Sequence, residues 1–329
     1  MTPKENYLTA LRHGQPEWIP MEGDDLVYTG FEYNSMEKGP AGGGFDGFGV
    51  KWSAPESGGA TAIPEPGYFL LNSDNVTEWK EILEFPDVSA YHWEQDAKEQ
   101  LEGVDREVMA VDYGDGNGAF ERLAAFMGFG EALMAIAMEP EAVEELLTAI
   151  TDYKLECMEY VAKYYQPDTY TYYDDCATQQ SPFMSPATYR ELILPQHKRI
   201  ADRAKELGMI PILHCCGNAE ALVPSFIEEG WAAWSSVQPC NDIVGILNQY
   251  GNKICLAGGY DTNGPAGATA DPEKIRTEIE RCCREYGQLR GYIFAGFILV
   301  KGDTPEEVWA PTGTLYELGV PYTREQKLV

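Results

Sequence analysis

The sequence has 329 residues, a formal net charge of −29 at pH 7, and an apolar content of 44%. This length suits one large α/β barrel or two ordinary domains, and the apolar content is enough for a sizeable core. A strongly acidic chain is a poor nucleic-acid binder, and no apolar run reaches the roughly 18 residues of a membrane helix. The N-terminus lacks a signal-peptide pattern, so we expect a cytoplasmic protein with no membrane partner.

The first third of the chain combines short regular elements with a long irregular segment. Its predicted elements are a helix over residues 4–12 and strands over 18–21 and 108–111. The first of these strands leads into Glu22, and the second ends near Asp112 and Asp115. Residues 34–66 are rich in Gly and Pro, which predicts a long loop with a hairpin.

From residue 120 onward, helices and strands alternate. The helices are predicted over 120–127, 128–138, from 139, from 185, over 196–207, 219–229, 242–250, 272–286 and from 304. The strands are predicted over 169–173, 209–213, 232–236, 253–256 and 291–295. Several helix starts carry Pro in the first turn, and several helix ends carry Gly.

Strands separated by helices pair in parallel through right-handed crossovers. About seven such units are visible, and no G-x-G-x-x-G turn follows a strand, so the pattern favours a (β/α)8 TIM-type barrel over a nucleotide-binding sheet. We predict a single domain over residues 1–329. It comprises an N-terminal region over 1–105, with the first strand and the loop insertion, and regular βα units over 106–329.

Polar and metal-binding side chains cluster at the predicted strand ends, where barrels carry their chemistry. They are Glu22, Asp112, Asp174, Asp175, His214, Cys216, Cys240 and Asp261. The pattern predicts one mouth lined with acid, imidazole and thiol groups.

The strand at 209–213 runs into a His-x-Cys pair formed by His214 and Cys216. Alternate side chains of extended backbone share a face, and His and Cys are preferred zinc ligands. The spacing is too short to be specific, and by itself it favours the alternative, a buried cysteine pair beside a hydrogen-bonded histidine. The eight scattered cysteines indicate packing, metal binding or chemistry rather than disulfides.

Several segments together resemble the uroporphyrinogen decarboxylase superfamily, and in order they span nearly the whole chain. They are Lys4-Glu5-Asn6-Tyr7-Leu8, Asp46-Gly47-Phe48-Gly49-Val50-Lys51-Trp52, Phe120-Glu121-Arg122-Leu123, Tyr173-Asp174-Asp175 with Gln179, His214-Cys215-Cys216-Gly217-Asn218, Gly258-Gly259-Tyr260-Asp261 and Gly302-Asp303-Thr304-Pro305-Glu306-Glu307. The resemblance implies a barrel with its cleft at the strand ends.

Two branches of that superfamily matter, the uroporphyrinogen decarboxylases and the methyltransferases that exchange methyl groups with a corrinoid protein. The pair at His214 and Cys216 looks like the zinc motif of the methyltransferases. The Arg-Gln-Ala-Gly-Arg segment of the decarboxylases has no counterpart after Pro20, where this chain carries acidic residues. A polycarboxylate substrate needs arginines, so the methyltransferase branch is favoured.

The resemblance does not extend to the third zinc ligand. Zinc methyltransferases of this type have a further cysteine near the last barrel strand, where residues 294–299 contain none. The candidates for the third ligand are Cys240, Glu22 and Cys176. The remaining alternative is a site that holds no metal.

The resemblance implies zinc acting as a Lewis acid on the oxygen or sulfur of a small methylated substrate, as in O-demethylation or thiol methylation. Asp174, Asp175 and Gln179 are the candidate residues for orienting the substrate or the metal ligands. The corrinoid would arrive on a partner protein, because this chain has no Asp-x-His-x-x-Gly cobalamin-binding pattern.

Two alternatives remain at this point. One is a decarboxylase of uroporphyrinogen or a related carboxylate, which needs a basic cleft and no metal. The other is a non-catalytic binding protein that kept the barrel.

Overall fold

The computed structural model describes residues 1–30, 43–54, 62–302 and 304–328. A curled seven-stranded parallel sheet, in the order β1-β5-β6-β7-β8-β9-β10, dominates these residues. Its strands are β1 (Leu26–Thr29), β5 (Ala110–Asp115), β6 (Thr169–Tyr173), β7 (Ile210–His214), β8 (Ala233–Val237), β9 (Cys255–Gly259) and β10 (Tyr292–Ala295). A small antiparallel sheet contains β2 (Gly44–Phe45), β3 (Lys51–Ser53) and β4 (Ile63–Pro64).

Helices connect the successive strands of the large sheet, as the alternating pattern predicts, while the first helix precedes β1 and the last follows β10. They are α1 (Pro3–Leu11), α2 (Trp79–Ile82), α3 (Trp93–Gln100), α4 (Ala119–Met127), α5 (Phe129–Met138), α6 (Pro140–Tyr164), α7 (Pro186–Leu192), α8 (Leu194–Glu206), α9 (Val223–Glu229), α10 (Ile243–Tyr250), α11 (Pro272–Tyr286) and α12 (Pro305–Glu325). None of the helices in the described ranges combines the length and the apolarity of a bilayer-crossing segment.

The prediction of an eight-stranded barrel is confirmed only in part, because the described residues supply seven strands of the large sheet. The segment predicted as the first strand, residues 18–21, forms two isolated bridges, an antiparallel one between Trp18 and Lys327 and a parallel one between Met21 and Phe294 of β10. There the Glu22 N–H donates to the Phe294 carbonyl at 2.9 Å. The first strand of the sheet is instead β1, which begins four residues after Glu22 and pairs with β5.

The concave face of the sheet is filled at the start of its strands by α1. Tyr7, Leu8 and Leu11 of this helix are buried in one cluster with inward-facing residues of the strands. The helix begins with a capping box in which Thr2 and Glu5 exchange hydrogen bonds. The carboxyl ends of the strands are therefore the side of the sheet where polar side chains gather.

The hairpin predicted within 34–66 is confirmed for its described part, whereas residues 31–42 and 55–61 lie outside the described ranges. Asp46 organises this segment, because its carboxylate accepts hydrogen bonds from the backbone N–H groups of Phe48 and Val50 and from Trp52 Nε1. The same carboxylate forms a fully buried ion pair with Arg122 of α4 at 2.7 Å. This pair fixes the small sheet against the helix that follows β5.

Candidate functional site at the carboxyl ends of β6 and β7

Three metal-type donors meet where β6 and β7 end. His214 is the last residue of β7 and pairs with Tyr173, the last residue of β6. His214 Nε2 lies 3.5 Å from Cys216 Sγ, and Asp175 Oδ1 accepts a hydrogen bond from the Cys216 N–H at 2.7 Å. The donor atoms of Asp175, His214 and Cys216 all lie within 4.8 Å of one another, and all three residues are half-buried. We refer to these three residues as the donor triad.

The imidazole of His214 is fixed from two sides. Its Nδ1 lies 3.1 Å from Ser235 Oγ of β8, and its ring packs on Tyr173 with centroids 4.4 Å apart. A histidine ligand typically uses one ring nitrogen for the metal while a neighbouring polar group holds the other. Ser235 thus leaves Nε2 aimed at the centre of the donor triad.

Cys216 contacts a serine in unusual backbone geometry. Its Sγ lies 3.3 Å from Ser236 Oγ, and Ser236 has a φ of +62°, in the left-handed region. The pairing of β8 with β9 shifts register between Ser235 and Val237, so Ser236 sits in a bulge. Gly258 of β9 accommodates it, because a Cβ there would lie 2.3 Å from the Val237 carbonyl oxygen. Such strain is often found where a side chain must be aimed at a functional site.

The Cys216 thiol needs a cation to ionise. Burial, and next the Asp175 carboxylate, raise its pKa, while the hydrogen bond with Ser236 opposes this. A bound divalent ion reverses that balance and deprotonates a coordinating thiol. A carboxylate, an imidazole and a thiolate form a donor set that suits zinc and leaves a fourth position open.

Asp174 lies behind the donor triad, fully buried. Its carboxylate accepts hydrogen bonds from the N–H groups of Phe120 and Glu121 at the start of α4, and lies 2.7 Å from His197 Nε2. His197 Nδ1 lies 3.4 Å from Glu229. Burial lowers the pKa of His197, but Glu229 and Asp174 outweigh it and raise the pKa to about 10. This charged network holds the turn that presents the neighbouring Asp175.

A second group of metal-type donors, formed by Asp174, Cys176 and His197, is completely buried. Both ring nitrogens of His197 already have partners, because Nε2 lies 2.7 Å from Asp174 and Nδ1 lies 2.9 Å from the Tyr189 hydroxyl. The backbone N–H of Cys176 approaches Cys215 Sγ at 3.3 Å, which places both cysteines in the packing behind the donor triad.

Two other predicted site residues lie apart from the triad. Cys240 is half-buried, and its Sγ lies 3.5 Å from Asn241 Nδ2 while its carbonyl accepts a hydrogen bond from Asn218. Gln179 is exposed and accepts a hydrogen bond from Asn263 at 3.0 Å. Neither Cys240 nor Glu22 belongs to a converging donor group among the described residues.

Glu22 instead belongs to a second polar group. The sequence placed Glu22 and Asp112 together at the strand ends, but it did not link them to Tyr28 and Tyr316. Burial, and then the nearby Asp112 carboxylate, raise the pKa of Glu22 to about 7, and burial raises the pKa of Asp112 to about 6. The hydroxyl of Tyr28 lies 3.5 Å from Glu22. The charge of Glu22 also contributes to the raised pKa values of Tyr173 and Tyr316. We refer to Glu22, Asp112, Tyr28, Tyr173 and Tyr316 as the acid–tyrosine pocket.

A curled parallel α/β sheet with its polar groups at the strand ends defines the class of barrel-type α/β proteins. The chain belongs to the uroporphyrinogen decarboxylase (URO-D) family, whose sequence model matches residues 114–310. The resemblance drawn from the sequence motifs is therefore confirmed.

Two relatives show how the family varies. The chain is 29% identical to "Uroporphyrinogen decarboxylase" of Pseudomonas fluorescens over 143 residues, which cover 42% of this chain and 39% of the relative. It is 27% identical to "Methylated-thiol--coenzyme M methyltransferase" of Methanosarcina mazei over 150 residues, which cover 44% of this chain and 37% of the relative. The aligned parts thus span about two fifths of these relatives.

A solved structure titled "methyltransferase from Methanosarcina mazei" has the same fold. It superposes with a TM-score of 0.67 over 96% of this chain and 99% of that chain, at 12% sequence identity. At this identity the likeness concerns the fold, which extends over nearly the entire chain.

Proposed function

We propose that this protein is a zinc-dependent methyltransferase that moves a methyl group between a small methylated molecule and a separate corrinoid protein. The observation that carries the proposal is the convergence of Asp175, His214 and Cys216 within 4.8 Å at the strand ends. Two comparisons support the proposed methyl transfer: one relative is a methyltransferase, and the fold is shared with a solved methyltransferase structure. We propose the cytoplasm as its location.

Asp175 takes the place that sequence reasoning left open for a third ligand. Zinc bound there would act as a Lewis acid on the oxygen of a methyl ether or the sulfur of a thiol. His214 offers Nε2 because Ser235 holds Nδ1, and Cys216 offers a sulfur oriented by Ser236. The backbone N–H of Cys216 holds Asp175 in turn.

The corrinoid partner follows from the chemistry and the sequence. A methyl group leaving an ether or a thioether needs a strong nucleophile, and no cobalamin-binding pattern occurs in the sequence. We therefore propose that the corrinoid is presented by another protein at the carboxyl ends of the strands, over the donor triad.

The decarboxylase function is the second candidate because a decarboxylase is among the relatives. The acidic side chains at the carboxyl ends of the strands disfavour a decarboxylase. Glu22 and Asp112 lie at the strand ends, where a polycarboxylate would need cationic partners, and carboxylates repel one another at short range.

Metal analysis of the purified protein tests the proposal. We expect about one zinc ion per chain, as three protein ligands hold in catalytic zinc sites. The His214→Ala variant should lose the zinc and the transfer of methyl groups to cob(I)alamin. His92→Ala, which removes an exposed histidine, is the matched control and should retain both. Unchanged zinc content in His214→Ala would refute the site.

A further inference from the structure

We propose that the acid–tyrosine pocket recognises an organic ammonium group, so that the substrate is a small molecule carrying both a cationic amine and the oxygen or sulfur at which methyl transfer occurs. This inference rests on the proposed function for the role of the donor triad. The recognition of the cation itself depends only on the pocket.

The two carboxylates of the pocket lack a basic partner within the described chain. Asp24 and Asp25 form ion pairs with Arg324, whereas Glu22, two residues before Asp24, has only the Tyr28 hydroxyl at 3.5 Å among the described side chains. Asp112 accepts hydrogen bonds from the hydroxyls of two threonines of β6, at 2.6 and 2.8 Å. Hydroxyl groups do not neutralise a charge, so no described basic group compensates the negative charge that these carboxylates carry above their pKa values of about 7 and 6.

Tyr28 keeps the acid–tyrosine pocket accessible from solvent. It is 46% exposed, and it pairs with Asp112 in the register of β1 with β5. Tyr316 packs over Gly23, where a Cβ would lie 2.5 Å from its ring.

Tyr173 supplies the second indication of a ligand. Its side chain is largely buried and points from the end of β6 toward both polar groups, and no hydrogen bond joins its hydroxyl to another described residue. Its ring lies between the other members of the pocket and His214, and the ring centroids of Tyr173 and His214 are 4.4 Å apart. A molecule held in the pocket would therefore lie beside the donor triad.

Aromatic rings combined with carboxylates favour one class of ligand. Tyrosine faces attract organic cations, and quaternary ammonium groups in aromatic cages are a recurring example. A divalent metal ion would need several oxygen ligands, whereas the pocket presents three rings and two carboxylates. The same charge disfavours carboxylates, sulfonates and phosphates, so the geometry points to a cationic substrate.

Calorimetric titration of the full chain after removal of metal ions tests this inference separately from zinc chemistry. The probes are choline, its neutral isostere 3,3-dimethylbutan-1-ol, and the anion 3,3-dimethylbutanoate. We expect choline to bind at least about tenfold more tightly than the alcohol, as a desolvated cation–π contact predicts, and the anion to bind least. Equal binding of choline and the alcohol would overturn the inference even if the protein contains zinc.

Two variants locate the binding. Glu22→Gln keeps the shape of the side chain and removes its charge, and Tyr28→Leu removes an accessible ring; each should weaken choline binding at least about tenfold. Glu144→Gln, on the exposed face of α6, is the matched control and should bind choline as the unaltered protein does. Circular dichroism spectra would verify the fold of each variant. Folded Glu22→Gln and Tyr28→Leu proteins with unaltered choline affinity would refute the pocket.

Discussion

The ring of Tyr173 packs on the imidazole of His214, with centroids 4.4 Å apart and planes inclined by 30°. This contact joins the donor triad to the acid–tyrosine pocket, because Tyr173 also lies within the field of Glu22 and Asp112. The parallel pairing of β6 with β7 places the two rings side by side. The site thus has a part suited to a metal and a part suited to a cation, separated by one aromatic ring.

The identity of the third ligand is the first prediction. Asp175→Ala should lower zinc affinity by more than the roughly 10- to 100-fold that loss of an outer hydrogen-bond partner costs. Asp175→Asn keeps an acceptor for the Cys216 N–H but removes the charge, so it should also bind zinc weakly. Competition with a chromophoric chelator measures both affinities.

Cys240→Ser is the control for this prediction, because Cys240 lies outside the donor triad. We expect zinc affinity close to that of the unaltered protein. Loss of zinc in Cys240→Ser together with retention in Asp175→Ala would assign the third position to the cysteine.

Ser236 provides the second prediction. Ser236→Ala and Ser236→Gly both remove the hydroxyl that lies 3.3 Å from Cys216 Sγ, and both should lower zinc affinity about 10- to 100-fold. Glycine adopts a positive φ without the steric cost of a Cβ, so Ser236→Gly should be at least as stable to urea as Ser236→Ala. Full zinc affinity in Ser236→Ala would show that the hydroxyl is not a positioning group.

The regular βα units could be predicted because their signals are local. Helix caps, proline in the first turn and apolar runs lie within each segment, and the His-x-Cys spacing places His214 and Cys216 together by itself. The same local signals predicted the first strand at the wrong residues. Residues 18–21 read as apolar and extended, whereas β1 follows a polar turn.

The rest of the site depends on contacts distant in sequence. Asp175 reaches Cys216 across 41 positions, and Ser236 reaches it through a bulge that Gly258 accommodates. The acid–tyrosine pocket likewise combines Glu22 with a tyrosine of α12. No pattern within a short window encodes such distances, so the sequence alone assigned Asp175 an orienting role.

The buried ion pair between Asp46 and Arg122 gives a third prediction. Arg122→Met leaves the Asp46 carboxylate buried without its cation, which should lower the free energy of unfolding by about 3–5 kcal/mol. Lys80→Met breaks the exposed pair with Glu145 and should cost at most about 1 kcal/mol. Urea unfolding followed by circular dichroism measures both. Equal losses in the two variants would contradict the importance of burial.

The buried network of His197 predicts a dependence of stability on pH. The pKa of His197 is about 10 in the folded protein, against an ordinary value of 6.5. A raised pKa contributes stability fully below pH 6.5, and that contribution is lost as the pH rises through 10. The free energy of unfolding should therefore decline between these values because Asp174 and Glu229 lose their cationic partner.

His197→Gln isolates this effect, since glutamine keeps hydrogen-bonding groups but does not titrate. The difference in unfolding free energy between the unaltered protein and this variant should be largest near pH 6 and shrink toward pH 10. His92→Ala serves as the control and should follow the unaltered protein at every pH. A difference that stays constant across this range would mean that His197 is neutral in the folded state. If His197→Gln does not fold, the imidazole pKa from the NMR titration of the unaltered protein decides, and a value below 7 would contradict the prediction.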